Sequence, residues 1–110
     1  MNFVVIGKDK AGGEARLRHR PAHLEFIANH QAPVIYAGPL LDGSRMVGSI
    51  FVFDVPGRAT LDTHLAGDPY FAEAIFESVE IYESRWMVPE RAPGTLAAEA
   101  VRAREAASGA

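Results

Sequence analysis

Runs of apolar residues separated by glycine, proline and charge divide the chain into a short series of elements. Asn2-Phe3-Val4-Val5-Ile6-Gly7 is a β-branched apolar run closed by glycine, the pattern of a strand. Lys8 to Gly13 is polar and glycine-bearing and reads as a loop. The arginine-rich stretch Glu14 to Arg20 either extends a helix or stays irregular. Pro21 is the better start marker, because its fixed φ suits a first helical turn. Beyond it Ala22, Leu24, Ile27 and Ala28 give a helical stripe that ends near Asn29 or His30. Val34-Ile35-Tyr36-Ala37 is a second strand, stopped by Gly38-Pro39, and Asp42-Gly43 is a strong turn signal. The turn leads into a third strand, Val47-Gly48-Ser49-Ile50-Phe51-Val52-Phe53, which Pro56-Gly57 ends. Leu61 and Leu65 pair at i,i+4 on a second helix, with Gly67 as its C′ residue. Asp68-Pro69 restarts a helical turn carrying Tyr70, Phe71, Ile75 and Phe76, and the alternating Val79-Glu80-Ile81-Tyr82-Glu83 makes a fourth strand reaching Trp86.

The order strand-helix-strand-strand-helix-strand predicts an α+β, ferredoxin-like βαββαβ domain over residues 1–88, with an antiparallel four-stranded sheet and both helices on one face. In the third strand Ile50 and Val52 oppose Phe51 and Phe53, and in the first Val4 and Ile6 oppose Phe3 and Val5. A sheet apolar on both faces needs cover on both, and two short helices shield only one. The expected cover for the other is a second copy of the chain, a homodimer packed sheet against sheet. Residues 89–110 form an extension. Pro89-Glu90-Arg91-Ala92-Pro93-Gly94 is a linker, and Thr95 is placed to N-cap a helix from Leu96 to about Ala107. Its apolar face is thin (Leu96, Ala100, Val101), which suits an arm on a neighbouring surface or a frayed tail.

Composition narrows the function classes. The 110 residues are 48% hydrophobic, with 11 Lys plus Arg against 14 Asp plus Glu for a net charge of −3. Mild acidity with scattered basic residues argues against a nucleic-acid partner. No apolar run approaches the roughly 18 residues of a membrane span, and Met1-Asn2-Phe3-Val4-Val5 lacks a basic leader. The absence of cysteine excludes a disulfide scaffold, a thiolate metal site and a thiol nucleophile. A cytoplasmic protein with no membrane partner is the expectation.

Chemistry must come from the remaining residue types. The four histidines are His19, His23, His30 and His64. His19 and His23 have the i,i+4 spacing of a metal-ligating pair, but a helix that starts at Pro21 leaves His19 outside it, and no metal site is expected. His23 borders the apolar stripe, with Phe26 and Ile27 at i+3 and i+4. An imidazole there is either bonded to a backbone carbonyl or poised for proton transfer. Asp68, kept extended by Pro69, is placed to cap the next helical turn or to orient an imidazole, two jobs competing for the same oxygens. A hairpin at Asp42-Gly43 would bring Gly38-Pro39 near Gly48-Ser49. Glycines there allow close approach of a ligand, with Ser49 as a hydrogen-bond donor, or mark a bulge that curves the sheet. Arg20 either holds an anion or is solvated. Tyr36, Tyr70 and Tyr82 read more readily as core edges than as catalysts. The phosphate-loop, dinucleotide and nucleophile-elbow patterns do not occur.

Arg20-Pro21-Ala22-His23-Leu24, Ala37-Gly38-Pro39-Leu40, Gly48-Ser49 and Asp68-Pro69-Tyr70, in this order, resemble the YciI-like (YCII-related) family. The resemblance covers about Met1 to Met87 and leaves Pro89 to Ala110 outside. It implies a ferredoxin-like domain in a dimeric α/β barrel assembly, with a histidine–aspartate centre in a pocket beside the sheet. Carried over by motif, the histidine is His23 and the aspartate is Asp68. The implied activity is proton transfer, lyase or isomerase-like, on a small cyclic organic molecule, and no cofactor is implied. Arg20, Gly38, Pro39, Gly48, Ser49 and Tyr70 are the candidate substrate-binding residues. The rival expectation is a ligand-binding or accessory dimer without turnover.

Overall fold

Alternation in the first strand, β1 (Asn2–Asp9), sends Phe3, Val5 and Gly7 to a buried face and Val4 and Ile6 to a partly open one. This computed structural model describes residues 1–109. After β1 come α1 (Glu14–Asn29), β2 (Val34–Asp42), β3 (Arg45–Asp54), α2 (Arg58–Gly67), the short α3 (Pro69–Ala72), β4 (Phe76–Ser84) and α4 (Thr95–Ser108). The four strands form one antiparallel sheet in the order β2-β3-β1-β4, the ferredoxin-like α+β arrangement expected from the sequence. In β3, Phe51 lies opposite Val5 and Phe53 opposite Phe3. These four side chains form the floor of a core completed by Val55, Leu61, Leu65, Tyr70, Ile75 and Phe76, with Ile27 of α1 packed against it.

On the other face one row runs Tyr36, Val52, Val4, Tyr82 across all four strands, and the next pairs Ile50 with Ile6. Tyr36 and Tyr82 are 61% and 54% exposed. Trp86, Met87 and Val88 join Val4, Tyr36 and Val52 around an open groove at one end of this face. No helix among the described residues is long and apolar enough to cross a membrane.

Several boundaries differ from the sequence expectations, each for a physical reason. α1 begins at Glu14 rather than Pro21, so His19 lies on the same helix as His23. Pro21 forfeits a backbone bond inside the helix, but buried Arg16 anchors the preceding turn to Asp9 through two hydrogen bonds. The helix enters from Gly13, left-handed at φ 76°, and Leu17 N–H donates to the Gly13 carbonyl at 3.2 Å. β2 does not stop at Gly38-Pro39 but continues to Asp42. It is an edge strand, where a missing proline N–H leaves no gap in a second ladder. The hairpin turns at Gly43, with φ 63°.

Gly67 is the last residue of α2 rather than a left-handed residue beyond it. A Cβ on Gly67 would come within 3.0 Å of the Phe26 ring, so glycine permits close packing of α1 on α2. The helical turn after Asp68 ends at Ala72, and Ala74 at φ 49° reverses the chain. Phe76 therefore opens β4 instead of extending a helix. Thr95 does not cap α4. Its Oγ1 donates to the Ala92 carbonyl at 2.7 Å, while Glu90 Oε2 accepts from Leu96 N–H at 3.0 Å. α4 is a formed helix, and none of its described residues is buried, as its thin apolar stripe foretells.

Candidate functional site

Starting α1 at Glu14 puts Arg16, Arg20, His23, Leu24 and Ile27 on one helical face. That face meets Ala37, Gly38 and Pro39 of β2, Ser49 and Phe51 of β3, and Tyr70 of α3 around a cavity of about 160 Å³. Leu24, Ile27, Ala37, Pro39 and Phe51 make most of the lining apolar, and Arg16 and Arg20 bring two guanidinium groups to it.

At its wall, His23 Nδ1 lies 2.8 Å from Asp68 Oδ1. Asp68 is 1% exposed and sits at the corner between α2 and α3, held extended at φ −81° and ψ 123°. The same Oδ1 accepts the Tyr70 backbone N–H at 2.9 Å, so one oxygen caps α3 and binds the imidazole. Asp68 Oδ2 is buried without a protein partner among the described residues. A carboxylate only accepts, so Nδ1 carries the hydrogen and Nε2 of the neutral ring is left as an acceptor. Nε2 has no protein partner among the described residues. The ring is held in plane by Tyr70, stacked at 3.7 Å and 5°, and its edge meets Phe51 at 85°.

A second polar cluster lies beside this pair. Arg16 grips Asp9 with two bonds, Nε to Oδ2 at 2.6 Å and Nη2 to Oδ1 at 2.9 Å. The two side chains are 4% and 7% exposed. Arg16 Nη2 also donates to Ser49 Oγ at 2.7 Å, and Nη1 donates to the Tyr70 hydroxyl at 3.4 Å. Burial pushes the Tyr70 phenol above its ordinary value of 10.0, only partly opposed by the Arg16 and Arg20 charges, so it stays protonated near neutrality.

The YCII-related domain family matches residues 1–85. The chain belongs to this family. Solved structures extend the likeness in fold. One is the 5-chloro-2-hydroxyhydroquinone dehydrochlorinase of Burkholderia phenoliruptrix AC1100 in complex with 2,5-dihydroxybenzoquinone, at 22% identity and TM-score 0.67, over 79% of this chain and 94% of that one. A protein of Agrobacterium tumefaciens aligns at 14% identity and TM-score 0.55, over 83% and 98%. An antibiotic biosynthesis monooxygenase aligns at 16% identity and TM-score 0.53, over 78% and 97%. No curated protein matches the chain.

Of the residues singled out from the sequence of this YCII-related chain, His23, Arg20, Gly38, Pro39, Ser49 and Tyr70 line the cavity. Asp68 stands behind His23. Gly48 is not part of the lining. A Cβ there would fall 2.4 Å from the Gly7 carbonyl oxygen, and the residue flanks a register shift opposite Leu40 and Leu41. The bulge alternative thus describes its surroundings. Tyr70 is a fully buried member of the core that also lines the cavity. His19, His30 and His64 do not line the cavity.

Arg16 and Asp9 went unrecognised in the sequence. The available signal was helical phase, since residues 16, 20, 23 and 27 share one face only when α1 extends through Pro21.

Proposed function

We propose that this protein is an acid–base enzyme acting on a small cyclic organic molecule by a lyase- or isomerase-type proton transfer. His23 Nε2 takes the proton from a substrate carbon or oxygen and returns it. Asp68 fixes the Nδ1–H tautomer and stabilises the imidazolium that forms. The observation that carries this reading is the 2.8 Å bond from a fully buried carboxylate to an imidazole whose other nitrogen is unpartnered at a cavity wall. A group so placed typically contributes about 10²–10⁴ in rate.

The cavity, about 160 Å³, is close to the roughly 150 Å³ that accommodates a benzene ring. A cyclic substrate is further supported by the dihydroxybenzoquinone bound in the structurally similar dehydrochlorinase. Arg20, Gly38, Pro39, Ser49 and Tyr70 form the substrate walls. The working unit is a homodimer, supported by the apolar row Tyr36, Val52, Val4 and Tyr82 that the helices leave uncovered.

Two measurements test the reading together. Long-range ¹H–¹⁵N correlation at the His23 ring is expected to show Nδ1 protonated and Nε2 bare in the wild type, with the tautomers mixed in Asp68→Asn. Small cyclic acids, lactones and phenols in D₂O are screened for enzyme-dependent deuterium incorporation, which His23→Gln is expected to slow by about 10²–10⁴. Deuterium uptake unaffected by His23→Gln refutes the role of His23. Binding of panel members without uptake favours a ligand-binding dimer.

A further inference from the structure

Arg16 is a donor on all five of its N–H groups and an acceptor on none. Ser49 Oγ, 2.7 Å from Nη2, must therefore accept from it, and so must the Tyr70 hydroxyl at 3.4 Å from Nη1. Each hydroxyl then has its own hydrogen left to give. Neither makes another hydrogen bond among the described residues, and both side chains belong to the cavity wall that includes His23. Asp9 completes the arrangement. Its two oxygens hold Nε and Nη2 in the guanidinium plane, which sets the remaining donors in fixed directions. The Arg16 Cζ lies 5.0 Å from the Tyr70 ring centre, close enough for the cation also to favour that ring position.

We propose that the buried Asp9–Arg16 pair is a positioning device that turns Ser49 and Tyr70 into two fixed hydroxyl donors, making the cavity selective for a ring-borne anionic oxygen, a phenolate or enolate. It rests on the reading of this cavity as the substrate site and names the substrate feature that the site recognises. Two donors polarised by a guanidinium favour an oxyanion over a hydroxyl, because hydrogen bonds to a full negative charge are roughly twice as strong as those to a neutral oxygen. Proton removal by His23 would leave its negative charge on such an oxygen, so the same donors that select the substrate stabilise the product of the first step.

The test is binding of 4-nitrophenol to the full chain, followed by absorbance across pH, since its colour separates phenol from phenolate. The wild type is expected to bind phenolate about tenfold more tightly than phenol, seen as a fall of about one unit in the probe's titration midpoint. Ser49→Ala and Tyr70→Phe each reduce that preference several-fold, and the double variant removes it. Arg16→Lys keeps the charge without the fork, and it is expected to lose the preference while thermal unfolding shows a folded chain. A double variant that still prefers phenolate overturns the proposal, as does an Arg16→Lys variant with undiminished preference. A wild type that binds both forms alike, or neither, also overturns it. The preference is read from probe binding and the proton-transfer reading from deuterium uptake, so failure of the one and failure of the other give different results.

Discussion

Removing Arg16 alone should damage the fold more than removing it together with Asp9. The pair is joined by two short bonds, and both side chains are more than nine-tenths buried. Arg16→Met strands the Asp9 carboxylate in the interior and removes a donor from Ser49 Oγ, the mechanism by which a broken buried pair costs about 3–5 kcal/mol. Against a typical net stability of about 5–15 kcal/mol, that is a large share. At a urea m value of about 1–2 kcal/mol/M, the unfolding midpoint falls by about 1.5–5 M. Replacing both residues, Arg16→Met with Asp9→Leu, removes the stranded charge. The remaining cost is that of the two hydroxyls losing their donor, about 1–3 kcal/mol. The assay is urea unfolding at fixed protein concentration for wild type, both single variants and the double variant, with m compared across the set. A cost under about 1 kcal/mol for Arg16→Met, the value of an exposed pair, refutes the argument. So does a double variant whose cost equals the sum of the singles.

Gly48→Ala places a Cβ 2.4 Å from the Gly7 carbonyl oxygen, a backbone atom held by the β1–β3 ladder, so a loss of about 1–3 kcal/mol is expected by thermal unfolding. Wild-type Tm in that variant would show that the ladder gives way freely. Val52→Lys charges the uncovered sheet face without touching Phe51 or Phe53. Sedimentation is expected to show a dimer for the wild type and a monomer for the variant, and a wild-type monomer ends the sheet-to-sheet reading. Burial lowers the His64 pKa from 6.5, with Asp68 opposing and neighbouring His30 adding to the shift. The unfolded chain therefore binds the proton first, and the His64 contribution, complete above about pH 6.5, is lost as pH falls through the folded value. His64→Phe should flatten the decline in Tm on acidification below pH 6.5, and an unchanged slope counts against it.

The strands were legible because β-branched, period-two runs such as Phe3 to Ile6 and Ile50 to Phe53 have few other uses. The two-faced apolar pattern survives in the fold, with the Phe51 side buried and the Val52 side open. The start of α1 was not legible. Pro21 is a strong local signal, and it is overridden by Arg16, whose partner Asp9 lies in the preceding strand and whose other contacts lie far along the chain on Ser49 and Tyr70. Arg16, Arg18 and Arg20 look alike in the sequence, and only the helical phase that Pro21 obscured tells the buried one from its neighbours. Gly38-Pro39 misled in the same way, because nothing local marks β2 as an edge strand that tolerates proline. Of the candidate site residues, Arg20, His23, Gly38, Pro39, Ser49 and Tyr70 came together around one cavity, with Asp68 behind His23. Gly48 did not, because close approach of strands and close approach of a ligand leave the same residue in the sequence.

Capping and orientation by Asp68 competed as explanations, and the geometry makes them a single one. Oδ1 accepts both the Tyr70 N–H and the His23 ring, and the Tyr70 side chain returns to stack on that ring at 3.7 Å. The corner between α2 and α3 and the imidazole are thus tied through one atom. Asp68→Ser separates the two jobs, because serine is a good N-cap but its single hydroxyl cannot supply a carboxylate to the ring. Relative to Asp68→Ala, the serine variant should recover about 1 kcal/mol of stability from the restored cap. Its His23 should nevertheless show the mixed tautomers expected of the alanine variant. If serine preserves the Nδ1–H tautomer, the stacked Tyr70 ring and the Phe51 edge are sufficient to orient His23. The carboxylate would then be a helix cap that happens to lie within reach of the imidazole.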